Sequence, residues 1–169
     1  MVGFSGHRQL ADSAGVAAAI RTALESLRSE APGEWIALAS AAAGADLLFV
    51  RAALDLGMGW EASLPLPLVD FERNFSPTEW VEVKTLLART EHLEVASEPG
   101  SRDEAYLTGG FEIVNRCDVL HVVWDGRVSK LQMMGVFVDR TIPKICQTVI
   151  GRFQGGWRRP PHTVASRGG

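Results

Sequence analysis

Residues 118–126 read Asp-Val-Leu-His-Val-Val-Trp-Asp-Gly, and this stretch decides the fold. Between Asp118 and Trp124 the hydrophobic character runs almost without a break, as in a strand covered on both faces within a parallel sheet. The run ends on Asp125-Gly126, a turn pair. Parallel strands are joined by crossover connections, usually helical, and the flanking sequence supplies them. Upstream, Ser101 and Glu104 have capping-box spacing and open a helix through Ile113 and Val114. Downstream, 129–138 is a helix candidate and 142–150 contains the last strand.

The same alternation extends to the N-terminus. Val2 and Phe4 alternate with small residues until Gly6 interrupts them, a short first strand entering a tight loop. Asp12 or Ser13 caps a helix whose apolar face is Val16, Ile20, Leu24 and Leu27, stopped at Ala31-Pro32-Gly33. Trp35 to Leu38 is a strand candidate whose end is blurred by the alanines at 41–43. After Gly44, a helix from Asp46 carries Leu47, Val50 and Leu54 to a stop at Gly57. Residues 62–68 read as a strand end broken by Pro65 and Pro67. Ser76-Pro77-Thr78-Glu79 joins an N-cap, a first-turn proline and a capping-box glutamate ahead of Trp80, Val83, Leu86 and Leu87, and Leu93 to Ala96 is a brief strand. The order predicts an α/β chain whose unusual polar residues collect in loops after the strands. No internal repeat of solenoid period occurs.

The 169 residues, net charge −3 and 46% hydrophobic content describe one soluble domain. No run of 18 apolar residues is present, and the charged start MVGFSGHRQL does not read as a signal peptide, so a cytoplasmic protein without membrane contact is expected. Cys117 and Cys146 form neither a metal-binding pair nor a disulfide framework and read as buried thiols in strand-like settings. Charge is divided: residues 1–150 hold 13 Lys/Arg against 20 Asp/Glu, whereas 151–169 hold four arginines and no acid. The expectation is an acidic domain over 1–150, a basic and flexible tail over 151–169, and no broad nucleic-acid binding.

Three polar groups lie where strands end. In Gly3-Phe4-Ser5-Gly6-His7-Arg8, the small Ser5 and Gly6 let backbone amides approach an anion, and His7 and Arg8 add donors and charge. The spacing is neither GxGxxG nor the P-loop pattern, and a surface Arg8 with a His7 bonded to backbone carbonyls explains the residues equally well. Gly44-Ala45-Asp46 offers helix-start amides and a carboxylate that accepts from hydroxyls; a plain helix cap is the simpler account. Trp124-Asp125-Gly126 sets a stacking ring beside an acceptor, which suits a base or ribose, and is also an ordinary turn. Arg116 and Asp118 read as a pair across the strand entrance. Phe71, Phe75 and Trp80 read either as an active-site lid or as a loop folded onto the core. The four histidines have no metal-ligand spacing, so no metal is expected. Ser5, His7 and Asp46 have the residue types of a hydrolytic triad without a GxSxG elbow.

VGFSGHRQL at 2–10, GAD at 44–46 and NRCDVLHVVWDG at 115–126 together resemble the SLOG superfamily, the Rossmann-like group that contains the DNA-processing protein A and cytokinin-activating LOG branches, and within it the bacterial stand-alone nucleotide-binding members. The resemblance implies a Rossmann-like three-layer sandwich with a mostly parallel central sheet, and a nucleotide or nucleotide-derived ligand at Ser5, Gly6, His7, Arg8, Gly44, Asp46, Trp124, Asp125 and Gly126. Family members include sensors coupled to effectors and enzymes that cleave a nucleotide's N-glycosidic bond. Here neither the PGGxGTxxE motif of LOG-type enzymes nor a GGT element follows the late strand. No catalytic residue transfers, and whether the chain is an enzyme stays open.

The leading expectation is therefore a nucleotide-binding protein, a sensor or carrier without a resident cofactor. Two alternatives stand beside it. One is a nucleotide phosphoribohydrolase or related N-glycosidase using a carboxylate such as Asp125 or Glu104. The other is a homo-oligomeric interaction protein with a degenerate pocket, assembling through Met133, Met134 and Phe137.

Overall fold

The computed structural model describes residues 1–96 and 101–123 and the backbone of a strand at 146–150. The elements run β1 (Val2–Gly6), α1 (Ser13–Glu30), β2 (Ile36–Ala39), α2 (Ala45–Asp55), β3 (Gly59–Leu64), α3 (Leu68–Phe71), α4 (Pro77–Leu87), β4 (His92–Val95), α5 (Arg102–Arg116), β5 (Val119–Val123) and β6 (Cys146–Ile150). The strands form one sheet in the order β4-β3-β2-β1-β5-β6, and every registered pair is parallel. The chain is an α/β protein with a Rossmann-like sheet.

Local chemistry accounts for the helices. The Asp12 carboxylate accepts from the Gly15 amide at the start of α1, and Ser76 and Glu79 close a full capping box on α4. Ser101 accepts from the Glu104 amide at the start of α5. These side chains satisfy backbone donors that a helix start leaves unpaired.

Alternation along the strands divides the core into two layers. Val2 and Phe4 face α1 and α2, and the Phe4 ring stacks on Phe49 with centroids 4.4 Å apart. Trp80, Val83 and Leu86 of α4 join this layer. On the other face α5 sets Ile113, Val114 and Cys117 against Leu38, Leu120 and Val122. A Cβ on Gly3 would stand 2.8 Å from Cys117 Sγ, so the glycine lets α5 close onto β1. Burial pushes the Cys117 thiol pKa up.

Several expectations change. The third strand begins at Gly59 rather than Ala62 and buries Trp60 completely. Glu61 hides this strand from a hydropathy reading, and it is accommodated because Arg116 bonds both Glu61 and Glu94 of the neighbouring strand. Arg116 and Asp118 therefore do not pair with each other, and Asp118 instead bonds the Met1 ammonium group. Cys117 caps α5 rather than lying in a strand. The connection at 68–74 is a short helix continued by a 3-10 turn at Glu72–Asn74. Residues 124–126, the helix candidate at 129–138 and the tail at 151–169 lie outside the described residues.

Besides Cys117, an aspartate and a histidine are buried among the described residues. Asp46 at the start of α2 is 4% exposed, and burial raises its pKa to about 6 against the lowering effects of Ser40, the Ala42 and Gly6 amides and Arg8. His121 in β5 is 2% exposed, and burial lowers its pKa to about 4. A raised acid stabilises the fold fully below its unfolded pKa and loses that contribution as pH climbs through about 6. The depressed histidine contributes fully above its unfolded pKa and loses that contribution as pH falls through about 4. The two contributions oppose each other over much of the same window, each on the order of 3 kcal/mol in total.

In urea titrations between pH 4 and 6.5, Asp46→Asn becomes progressively more stable relative to the parent as pH rises, and His121→Gln becomes progressively less so. Variant curves parallel to the parent's would refute the assignments. Separately, Arg116→Met costs about 2 kcal/mol by leaving two carboxylates adjacent on β3 and β4, and adding Glu61→Gln restores part of the loss. An unchanged urea midpoint in Arg116→Met would show that the triad is not structural.

Candidate functional site

The sheet order creates a switch point. The strand after β1 lies on one side of it, and the strand after β5 lies on the other, while β1 and β5 are neighbours with Gly6 registered to Val123. Connections leaving adjacent strands in opposite directions open a crevice beyond their carboxyl ends, where ligands of open α/β sheets bind. Ser5 and Gly6 end β1 at this edge, and His7 and Arg8 follow in the loop. Residues 124–126 follow β5 directly in sequence, so this part of the expected site lies outside the described residues.

The start of α2 packs against the same loop. The Ala45 amide donates to the His7 carbonyl at 3.0 Å. Gly44 precedes it with φ +87°, and a Cβ there would stand 2.3 Å from the Arg8 carbonyl oxygen and 2.6 Å from that of His7. A Cβ on Gly6 would stand 2.5 Å from Ala45 Cβ. Both glycines thus permit two backbone segments to meet, and the first amide of α2 is used in that contact rather than offered outward.

Asp46 is not the cap of its helix. Gly44 holds the cap position without a side-chain bond, and the Asp46 carboxylate instead accepts from the Ser40 hydroxyl and, at 3.4 Å, from the Ala42 amide. Between those donors, Ala41 lies in the left-handed region at φ 55° and is completely buried. An alanine held there costs about 1–2 kcal/mol. Asp46 therefore ties down a strained turn at the end of β2 from the protein side. Ser40 was not singled out in the sequence, where its one signal is a hydroxyl between a strand and an alanine run.

Arg8 is placed from the opposite side. Its Nη2 donates to the Asn74 carbonyl at 3.1 Å, and its guanidinium lies 5.8 Å from the centroid of the Phe75 ring. Phe75 in turn stacks on Trp80 at 5.6 Å and meets Phe71 edge-on at 5.2 Å. Phe71 and Trp80 are core residues at 1% and 7% exposure. The three aromatics thus fold back onto the core, and half-buried Phe75 supports Arg8. Arg102, at the start of α5, reaches the Asn74 side-chain oxygen. Neither Asn74 nor Arg102 stood out in the sequence, because the turn that joins them to Arg8 is tertiary.

Ser5, Gly6, His7 and Arg8 are thus gathered with Gly44 and Asp46 at one sheet edge. Glu104, a carboxylate considered for glycosidic chemistry, is exposed on the first turn of α5. Among the described residues no cluster of three His, Cys, Asp or Glu is placed to hold a metal ion, and no helix is long and apolar enough to cross a membrane.

No family model matches the chain, and no curated protein does. Among solved structures, the chain is similar to DNA processing protein A from Streptococcus pneumoniae, with a TM-score of 0.59 at 15% sequence identity. The match covers 89% of this chain and 49% of that one, so the chain spans about half the length of its structural neighbour. At the level of fold, this agrees with the sequence resemblance: the chain has a Rossmann-like architecture of the kind found in DNA processing protein A.

Proposed function

We propose that the chain binds a nucleotide or nucleotide-derived small molecule at the carboxyl edge of β1 and β5, as a member of the SLOG group. The observation that carries this reading is the switch point itself, with Ser5, Gly6, His7 and Arg8 at one lip and the sequence Trp124-Asp125-Gly126 following the other strand. Arg8 is the phosphate-side cation: exposed, and supported by a ring and a carbonyl rather than neutralised by a salt bridge among the described residues. Ser5 and Gly6 supply the small-residue edge beside it. Trp124 and Asp125 take the base or sugar.

Asp46 has a changed role. With 4% exposure and its carboxylate engaged by Ser40 and Ala42, it shapes the rim by holding the turn at 40–44 instead of reaching a ligand hydroxyl. Gly44 does the same by admitting the His7 and Arg8 carbonyls.

The expectation against nucleic acid gains no support from a structural neighbour named for DNA processing. Calorimetric titration therefore includes mononucleotides and a single-stranded oligonucleotide. Mononucleotide binding is expected, weakened at least about tenfold by Arg8→Ala with the melting temperature unchanged, since the Arg8 carbonyl that packs on Gly44 remains. Binding of the oligonucleotide alone, or of neither probe, would overturn the small-molecule reading.

A further inference from the structure

The arginines of the described residues fall into distinct electrostatic classes. Arg21, Arg51, Arg73 and Arg116 each pair with a carboxylate, Arg28 donates to the Leu56 carbonyl at the far end of α1, and Arg89 is exposed and without an ion pair among the described residues. Arg8 and Arg102 are different. Each donates to a neutral oxygen of the same residue, Asn74, and each guanidinium lies over an aromatic ring: Phe75 at 5.8 Å for Arg8, and Tyr106 at 6.0 Å for Arg102. Neither makes an ion pair with a carboxylate among the described residues, although Asp103 and Glu104 adjoin Arg102 in the chain and Glu79 lies within electrostatic reach of Arg8.

The backbone and side-chain oxygens of one asparagine are a few bonds apart, so two guanidinium groups from separate parts of the chain are anchored on a single residue. Arg8 comes from the loop after β1, and Arg102 from the first residue of α5. Asn74 is itself fixed, its side-chain amide donating to the Phe71 carbonyl at 2.7 Å. Two like charges anchored on one residue repel, and a structural strap would not require both to be cations. A ring beneath each and one shared neutral anchor orient them while consuming few of the five N–H donors each carries. Such an arrangement matches an anion with two adjacent charged groups.

We infer that Arg8 and Arg102 form a two-cation clamp for a diphosphate, with Arg102 as the second phosphate-binding residue. This rests on the reading of the β1 edge as a phosphate site and narrows its ligand class from nucleotides in general to those carrying a diphosphate.

The full chain is titrated calorimetrically with inorganic phosphate, inorganic pyrophosphate, AMP and ADP, alongside Arg102→Ala, Arg102→Lys and, as a control that removes an equal charge elsewhere, Arg89→Ala. The expected result is that pyrophosphate and ADP bind at least about tenfold tighter than phosphate and AMP. Arg102→Ala then removes that preference while sparing AMP, Arg102→Lys retains part of it, and Arg89→Ala leaves it intact. AMP binding with no diphosphate preference, or a preference that Arg102→Ala does not alter, would overturn the clamp while leaving the nucleotide site standing. Pyrophosphate binding that depends on Arg102 without binding of either nucleotide would uphold the clamp and overturn the nucleotide reading. Failure of all four probes to bind would overturn both.

Discussion

The contact between the His7-Arg8 backbone and the first residues of α2 is the constraint on which the carboxyl edge of the sheet depends. One hydrogen bond, Ala45 amide to His7 carbonyl, joins the loop after β1 to the helix after β2, and the absence of side chains on Gly6 and Gly44 makes the approach sterically possible. Everything else at that edge follows from it. With the β1 loop pinned to α2, Arg8 projects toward the turn at 72–74, where Asn74 and Phe75 receive it. With α2 fixed at its start, Asp46 faces Ser40 and Ala42 and holds a turn that contains a left-handed alanine. A strained backbone residue persists where its surroundings over-determine it, and here the bonds on both sides of Ala41 do so.

The two faces of the sheet are organised differently. The face toward α1, α2 and α4 is built from apolar side chains, with Phe4, Phe49 and Trp60 among the largest fully buried ones. The face under α5 combines a smaller apolar group with the Arg116, Glu61 and Glu94 cluster at the β3–β4 side. That cluster contributes less to stability than hydrocarbon of equal volume, because desolvation offsets much of the attraction. What it does supply is register: one arginine bonded to carboxylates on neighbouring strands fixes where α5 ends relative to both.

Much of this fold was legible because the local signals agreed with one another. Capping residues at Asp12, Ser76 and Ser101 marked true helix starts, and the run at 118–124 marked an interior strand of the sheet, flanked by β1 and β6. The misreadings share a cause. Glu61 masked the first half of β3, and Arg116 was matched to its near neighbour in sequence, because a charge is judged polar until its distant partner is known. The geometry of the candidate site was legible in a similar measure. Motifs at strand ends brought out Ser5 through Arg8 and Gly44 to Asp46, yet Ser40, Asn74 and Arg102 carry no local pattern and acquire meaning only through contacts across the fold. Even the glycines carried a double signal: small residues near a ligand edge and small residues where two backbones touch are the same letters.

In the proposed reading, the buried carboxyl and the exposed guanidinium are thermodynamically linked. The Arg8 charge lowers the Asp46 pKa, while burial raises it more strongly. An anion seated on Arg8 offsets that positive charge, so the Asp46 pKa rises further on binding. Linkage is reciprocal: protonating Asp46 removes a negative charge from beneath the rim and strengthens anion binding. Because the carboxyl already titrates near 6, this coupling operates just below neutrality, where an exposed aspartate with an ordinary pKa would remain almost fully ionised. Burying the acid behind the rim therefore serves two ends in this reading. It fixes the strained turn through Ser40 and Ala42, and it makes a negative charge within electrostatic reach of Arg8 titratable just below neutrality.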